Sequence, residues 1–416
     1  MSMFARFLPF WIFMVFFKFG GGLHYSLISP FGEKLLPLWI VGLLMGGGSV
    51  VQFLLDVPAG HIMDRFGYKR FLWITTAVFM AAAACYAFGL TTTTYVLSLV
   101  ISTFGWLFFG PGVNAYALSH STKENAGRFM SLKDVSGSTG IVLSSVALPF
   151  ALVLTPAVVG WILFALLGVA LVAMWLSPRD MMKAVASSAA EEKIPAQHFY
   201  IRRHFLSKTL KMMKRLNPAS GMLVLSGMAG GIFYGAVWFA VPLVMASQAN
   251  SGILGLGLGI FDFSIVLLGF ILGNLADRWN KRRLVFLGLL LFAVAAVLTG
   301  FNFSWLFLIF GFLATTGDEM SSLSLWAWLH TLDKDHANDG AVSGVINLFQ
   351  DMGWAIGPIV AGFVYDSIGP TWTIAIAALP IFVTWCMYQL VMRDHASPAL
   401  EGVAIPRKPH RPRHRG

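Results

Sequence analysis

Five ionisable residues stand inside apolar stretches, where charge is costly: Lys18, Asp262, Asp318, Glu319 and Asp351. A charged group in hydrocarbon is penalised unless it meets a partner or a water-filled cavity, so each marks a candidate functional position. Carboxylates in low dielectric load and release protons as their access to water changes. Proton carriage is the chemistry this set suggests, with Asp318, Glu319 and Asp351 the leading carriers. The simplest arrangement pairs Lys18 with one acid across a cavity. A static salt bridge that locks helices together is the alternative, and for Lys18 the two readings stand level.

Helical rise sets the depth of these groups. At about 1.5 Å per residue, Lys18, Asp262 and Asp351 each fall roughly 15–16 Å into a bilayer core about 30 Å thick. Asp318 and Glu319 lie nearer one surface. Neighbouring helix positions point about 100° apart, so only one of those two is expected to face a cavity squarely. Ser322 shares the face of Asp318, and His330 lies close to that of Glu319. His24 is read as a packed, hydrogen-bonded histidine. Asp56 is read as a gate or capping residue.

Long apolar elements must hold these residues. The chain is 57% apolar and only 12% charged, with a mean hydropathy of +0.73, outside the range of soluble domains. Runs of spanning length fall near 7–29, 37–62, 71–90, 95–119, 134–155 and 157–177, then near 220–246, 252–276, 284–302, 303–329, 340–365 and 371–392. The expected architecture is an all-α membrane protein with twelve transmembrane helices in two pseudo-symmetric six-helix bundles, 1–177 and 220–393. Residues 178–219 form a linker whose Phe205, Leu206, Leu210 and Met213 recur at helical spacing opposite Arg202, Lys208, Lys211 and Arg215. That pattern predicts an amphipathic helix on the membrane surface. Residues 394–416 are a basic tail suited to anionic lipid.

Placing the N-terminus in the cytoplasm puts every one of the 29 Lys and Arg except Lys18 and Lys34 on the inner side. That asymmetry predicts a multi-pass protein of the plasma or inner membrane with both termini cytoplasmic. The net charge of +10 is then a topology signal, and no nucleic-acid partner is expected. Cys85 and Cys386 form no disulfide framework. The sequence holds no metal cluster, nucleotide loop or nucleophile constellation, so neither an enzyme nor a cofactor is expected.

One signature occurs twice. Gly60-x-x-x-Asp64-Arg65-x-Gly67-x-Lys69-Arg70 ends the second run, and Gly273-x-x-x-Asp277-Arg278-x-Asn280-x-Arg282-Arg283 ends the eighth, 213 positions later. Asn280 stands where the first copy has Gly67. Two copies in register, within twelve spans divided six and six, resemble the major facilitator superfamily over the whole chain.

The resemblance implies alternating access by rocking of the halves around a central cavity. It makes the signature a cytoplasmic latch, with Asp64 facing the N-terminal end of the eleventh helix and Asp277 that of the fifth. Arg65, Lys69, Arg70, Arg278 and Arg282 would pair locally or hold the turns, and Gly60 and Gly273 would permit close helix approach. On the helices that line the cavity in this family, Trp106, Phe233, Tyr234, Trp238, Trp326 and Trp328 offer an aromatic wall. Asn114, Asn347 and Gln350 are further candidates for substrate contact. The fifth span reads Ser136-Gly-Ser-Thr-Gly140, unlike the drug–proton antiporters of the family. The expected function is a monomeric secondary transporter of a small organic solute, driven by protons. An uncoupled facilitator and a non-transporting scaffold or sensor are the alternatives.

Overall fold

The computed structural model describes residues 6–120, 126–178, 218–247, 251–301, 304–332 and 339–394. The first half comprises α1 (Leu8–Glu33), α2 (Leu38–Phe66), α3 (Tyr68–Ala87), α4 (Thr92–Ser119), α5 (Ala126–Val153) and α6 (Pro156–Leu176). The second opens with α7 (Pro218–Ser247), α8 (Ser251–Arg278), α9 (Lys281–Phe301) and α10 (Trp305–Leu332). A last helical run, Asp339–Asp394, breaks at Gly369, whose φ of 83° and ψ of 176° are not helical. It is therefore two helices, α11 (339–368) and α12 (370–394). The protein is an all-α membrane protein of twelve helices in two bundles of six. The linker and the tail fall outside the described residues, and so does the expected amphipathic helix.

The turns follow from local chemistry. Between α2 and α3 the chain reverses on Gly67 alone, at φ 97° and ψ 135°, a conformation that a Cβ would oppose. The matching turn between α8 and α9 is made differently. Asn280 Oδ1 accepts hydrogen bonds from the backbone N–H of Arg282 at 3.0 Å and Arg283 at 3.3 Å, which caps α9. The departure from glycine in the second signature is thus one turn solution replacing another. Thr155 caps α6 just ahead of Pro156, as the near-absence of a connecting loop requires.

Among the described residues, nine helical runs are long and apolar enough to cross a membrane, the last of them, Ile346–Leu390, covering parts of both α11 and α12. Helix α10 is not among them, because Asp318 and Glu319 interrupt its apolar character. Helix α5 begins at Ala126 rather than near 134. The apolar run starts only after Lys133 and Asp134, but a helix that faces a polar cavity need not be apolar on that side. Both charges therefore belong to the helix rather than to a cytoplasmic connection.

Packing repeats between halves. Helix α1 lies on α5 as α7 lies on α11, and α3 lies on α4 and α6 as α9 lies on α10 and α12. The halves meet through α2 against α11 and α5 against α8, with α1 touching α7. Among the described residues, close contacts across this seam include several at the end away from the linker. Ser29 donates to the Phe239 carbonyl at 2.8 Å, Tyr25 meets Trp238 at 5.9 Å between ring centroids, and Trp39 stacks on Phe363 at 5.9 Å. A Cβ on Gly42 would run into the Pro358 carbonyl oxygen, and one on Gly362 would lie 2.6 Å from that of Leu38. Backbones this close exclude water and let dispersion act over the whole crossing. Helices α6 and α12 turn Trp161, Trp175, Trp372 and Leu390 outward.

Candidate functional site

Polar residues gather in each half, and a Ser138–Asp262 hydrogen bond joins the halves between them. In the first half, α5 passes so near α1 that a Cβ on Gly140 would lie 2.8 Å from the Cβ of Lys18. This fixes the stem of Lys18 and aims its ammonium at α4, where it stands 5.1 Å from the ring centroids of both Trp106 and Phe109. Phe17 stacks on Phe109 at 4.1 Å and backs this aromatic niche. Cation–π contacts of this kind stabilise an ammonium withdrawn from water. Among the described residues no carboxylate lies within ion-pair distance of Lys18. The ammonium rests on aromatic faces in place of the expected contact pair.

Lys133, which is buried, donates to Asn114 Oδ1 at 2.6 Å and pairs with Asp134 at 2.9 Å. Its charge is therefore answered locally. Asp262 on α8 accepts a hydrogen bond from Ser138 on α5 at 3.2 Å, a polar link between the two halves. Lys133, Asp134 and Ser138 were not among the residues singled out from sequence. A signal was present: 133, 137, 140 and 144 follow helical spacing, and Gly137, Gly140 and Ser144 all approach α1.

In the second half, α7, α10 and α11 enclose a cavity of about 160 Å³, far above the ~10–15 Å³ that one water needs. Asp318, Glu319, Ser322 and Trp326 of α10 line it, with Tyr234 of α7 and Asn347 and Gln350 of α11. Tyr234 donates its O–H to Asp318 Oδ2 at 2.8 Å, and its ring lies parallel to those of Phe292 and Trp354. Asp318 and Glu319 both line this cavity, where helical geometry had suggested that only one would face it. The cavity has walls on three helices, so it wraps far enough around α10 to meet side chains about 100° apart.

The other candidates divide. Asp351 follows Gln350 on α11 but is not part of the cavity lining. Trp238 sits on the closed seam against Tyr25 rather than on the cavity wall. His24 is buried with Nε2 at 2.9 Å from Ser98 Oγ, as a packed histidine should be. The side chain of His330 falls outside the described residues.

Of the signature residues, the side chains of Asp56, Gly60, Asp64, Arg65 and Asp277 fall outside the described residues, and the latch contacts with them. Lys69 donates to the carbonyls of Trp175, at 2.8 Å, and Ser177. It thereby satisfies free acceptors at the end of α6. Arg70 and Arg278 are exposed. Arg282 lies 5.6 Å over the Trp328 ring, and its carbonyl accepts the Tyr388 hydroxyl at 2.8 Å. Gly273 does not serve close approach: a Cβ there would meet nothing within 4 Å among the described residues.

A duplicated helical bundle with polar residues gathered at the seam is the arrangement of a carrier. The sequence matches the family model described as Major Facilitator Superfamily twice, over residues 1–234 and 222–411. The chain belongs to the major facilitator superfamily. This member is a membrane transporter of small molecules and not an enzyme. It is 22% identical to "Multidrug resistance protein 2" of Bacillus subtilis (strain 168) over 346 residues, covering 78% of this chain and 80% of that one. The nucleoside transporter NupG has the same fold, with a TM-score of 0.68 over 94% of this chain and 100% of its own, at 14% identity.

Proposed function

We propose that this facilitator is a proton-coupled secondary transporter that moves a small organic solute by alternating access, with Asp318 and Glu319 as the principal proton carriers. The observation that carries the proposal is their shared position: two adjacent acids line one cavity with room for water. One holds the hydroxyl of Tyr234. Like charges crowded in low dielectric favour uptake of a proton, which can be released where access to water changes. Asp262 lies between the halves and is a further carrier or a link between them, and Asp351, next to Gln350 on α11, is a reserve candidate.

With both termini in the cytoplasm, the sealed end of the seam is the outer gate, formed by α1, α2, α7 and α11. Rocking the halves about the Ser138–Asp262 link would exchange the sealed and open ends. The two relatives bear names that point to drugs and to nucleosides, which supports an organic solute and leaves its chemical class to the site itself.

Purified protein in liposomes under an imposed pH gradient tests the proposal. Flux of a responsive solute should follow the gradient in the native protein and lose that dependence in Asp318→Asn or Glu319→Gln. Undiminished gradient-driven flux in both variants would assign the carrier role elsewhere. Flux indifferent to the gradient in the native protein would make it a facilitator.

A further inference from the structure

We propose that the cavity between α7, α10 and α11 binds a slender solute through a protonated primary amine, held by the free carboxylate oxygen of Asp318. The inference rests on the reading of this cavity as the substrate site and adds the chemical class of its occupant.

Asp318 has one oxygen to spare. Oδ2 takes the Tyr234 hydroxyl at 2.8 Å, and Oδ1 has no hydrogen bond among the described residues. Oδ1 lies toward Gly230, where a Cβ would stand 3.9 Å from it. Gly227 and Gly230 both line the cavity, and a Cβ on either would meet nothing closer than 3.7 Å among the described residues. The space beside Oδ1 therefore exists because α7 presents no side chain there.

The sign of the occupant follows from the walls. Asp318 and Glu319 are the charged groups of the described lining, which includes no Lys, Arg or His. An anion would meet two carboxylates and no cation. A neutral donor would satisfy Oδ1 only weakly, whereas a hydrogen bond between two ionised groups is roughly twice as strong. Glu319 points about 100° away from Asp318 around α10. The ammonium is therefore assigned to Asp318, and net proton release stays with Glu319. A proton and an ammonium can occupy Oδ1 in turn, so Asp318 keeps its place as a carrier.

The type of cation follows as well. Ser322, Asn347 and Gln350 line the same cavity and offer hydroxyl and amide oxygens that accept from N–H groups. A quaternary ammonium has no N–H and would leave these oxygens and Oδ1 without a donor, which is costly for buried polar groups. Size excludes bulky lipophilic cations. The cavity, about 160 Å³, lies below the roughly 300–1,000 Å³ of sites that enclose a drug-sized ligand. Trp326, also in the lining, gives an ammonium and its carbon frame an aromatic face.

Ligand-induced thermal stabilisation of the purified full-length protein in detergent tests this without any gradient, so its failure is distinct from a failure of proton coupling. The probes are 2-phenylethylamine and n-butylamine, each with its N,N,N-trimethyl counterpart, its alcohol and a carboxylate of matched length. At least one primary amine should stabilise the native protein at about tenfold lower concentration than its three counterparts, a difference of about 1.4 kcal/mol. Asp318→Asn should erase that advantage. Gly230→Ala adds a methyl group beside Oδ1 at ordinary contact distances. It should leave the melting temperature without ligand no lower, yet raise the amine concentration needed by about tenfold. Because it removes no charge, it decides the matter should Asp318→Asn fail to fold. The proposal is overturned if neither amine stabilises, if a trimethylammonium, alcohol or carboxylate does as well as its amine, or if the advantage survives either substitution undiminished.

Discussion

Tyr234 and Asp318 are joined across two helices by a 2.8 Å hydrogen bond, although 84 positions separate them in the chain. The bond leaves one carboxylate oxygen of Asp318 for other ligands, because Oδ2 alone receives the phenol. It also fixes Tyr234 in the cavity wall, where its ring lies 6.0 Å from that of Phe292. A proton carrier beside a substrate site needs this kind of restraint, since small displacements of a charge in low dielectric change its energy strongly.

Tyr234→Phe keeps the ring and removes the donor. A hydrogen bond to a charged group contributes roughly 1.5–3 kcal/mol, so gradient-driven flux should fall by about tenfold or more. Circular dichroism and gel filtration should be unchanged. Flux equal to that of the native protein would remove the hydroxyl from the mechanism.

Glu319→Gln should separate coupling from movement. Net transport down a pH gradient should drop by about tenfold or more, as when one member of a cooperating set is removed. Exchange of labelled for unlabelled solute at equal pH should persist, because it requires no net proton release. Equal loss of both activities would mean that Glu319 is needed for binding or folding rather than for coupling.

The sealed end of the seam should be sensitive to bulk. In Gly42→Val the new side chain meets the Pro358 carbonyl oxygen, and overpacking of this kind costs about 1–3 kcal/mol. The cost falls only on the conformation in which α2 and α11 touch. The variant should therefore favour the state opened at that end, read as faster alkylation of a cysteine placed at Ser29. Unchanged labelling would show that the contact does not govern the gate.

The two signature turns predict opposite tolerance. Asn280→Ala removes the cap of α9 and should lower stability by about 1 kcal/mol, whereas Asn280→Gly should cost only a few tenths. At Gly67, with φ at 97°, alanine should be the poorer substitute because its Cβ opposes that backbone. Thermal unfolding of the three variants measures the difference.

The amino-acid sequence alone determined the number of helices, their approximate ends and their grouping into two halves. Hydrocarbon admits backbone only when it bonds to itself, so apolar length translates directly into a spanning helix. The repeated signature supplied the pseudo-symmetry. The sequence also singled out Lys18, Asp262, Asp318, Glu319 and Asp351, because charge in an apolar run is visible without any contact. Lys133 and Asp134 escaped notice for the same reason in reverse. They precede the apolar run of α5, and only the turn of that helix toward α1 and α4 buries Lys133 between them. Tertiary structure likewise decided that Asp318 and Glu319 share a cavity, that Lys18 rests on Trp106 and Phe109, and that Trp238 seals the seam instead of lining the site. Those outcomes depend on how helices distant in sequence cross, a relation that no local period encodes.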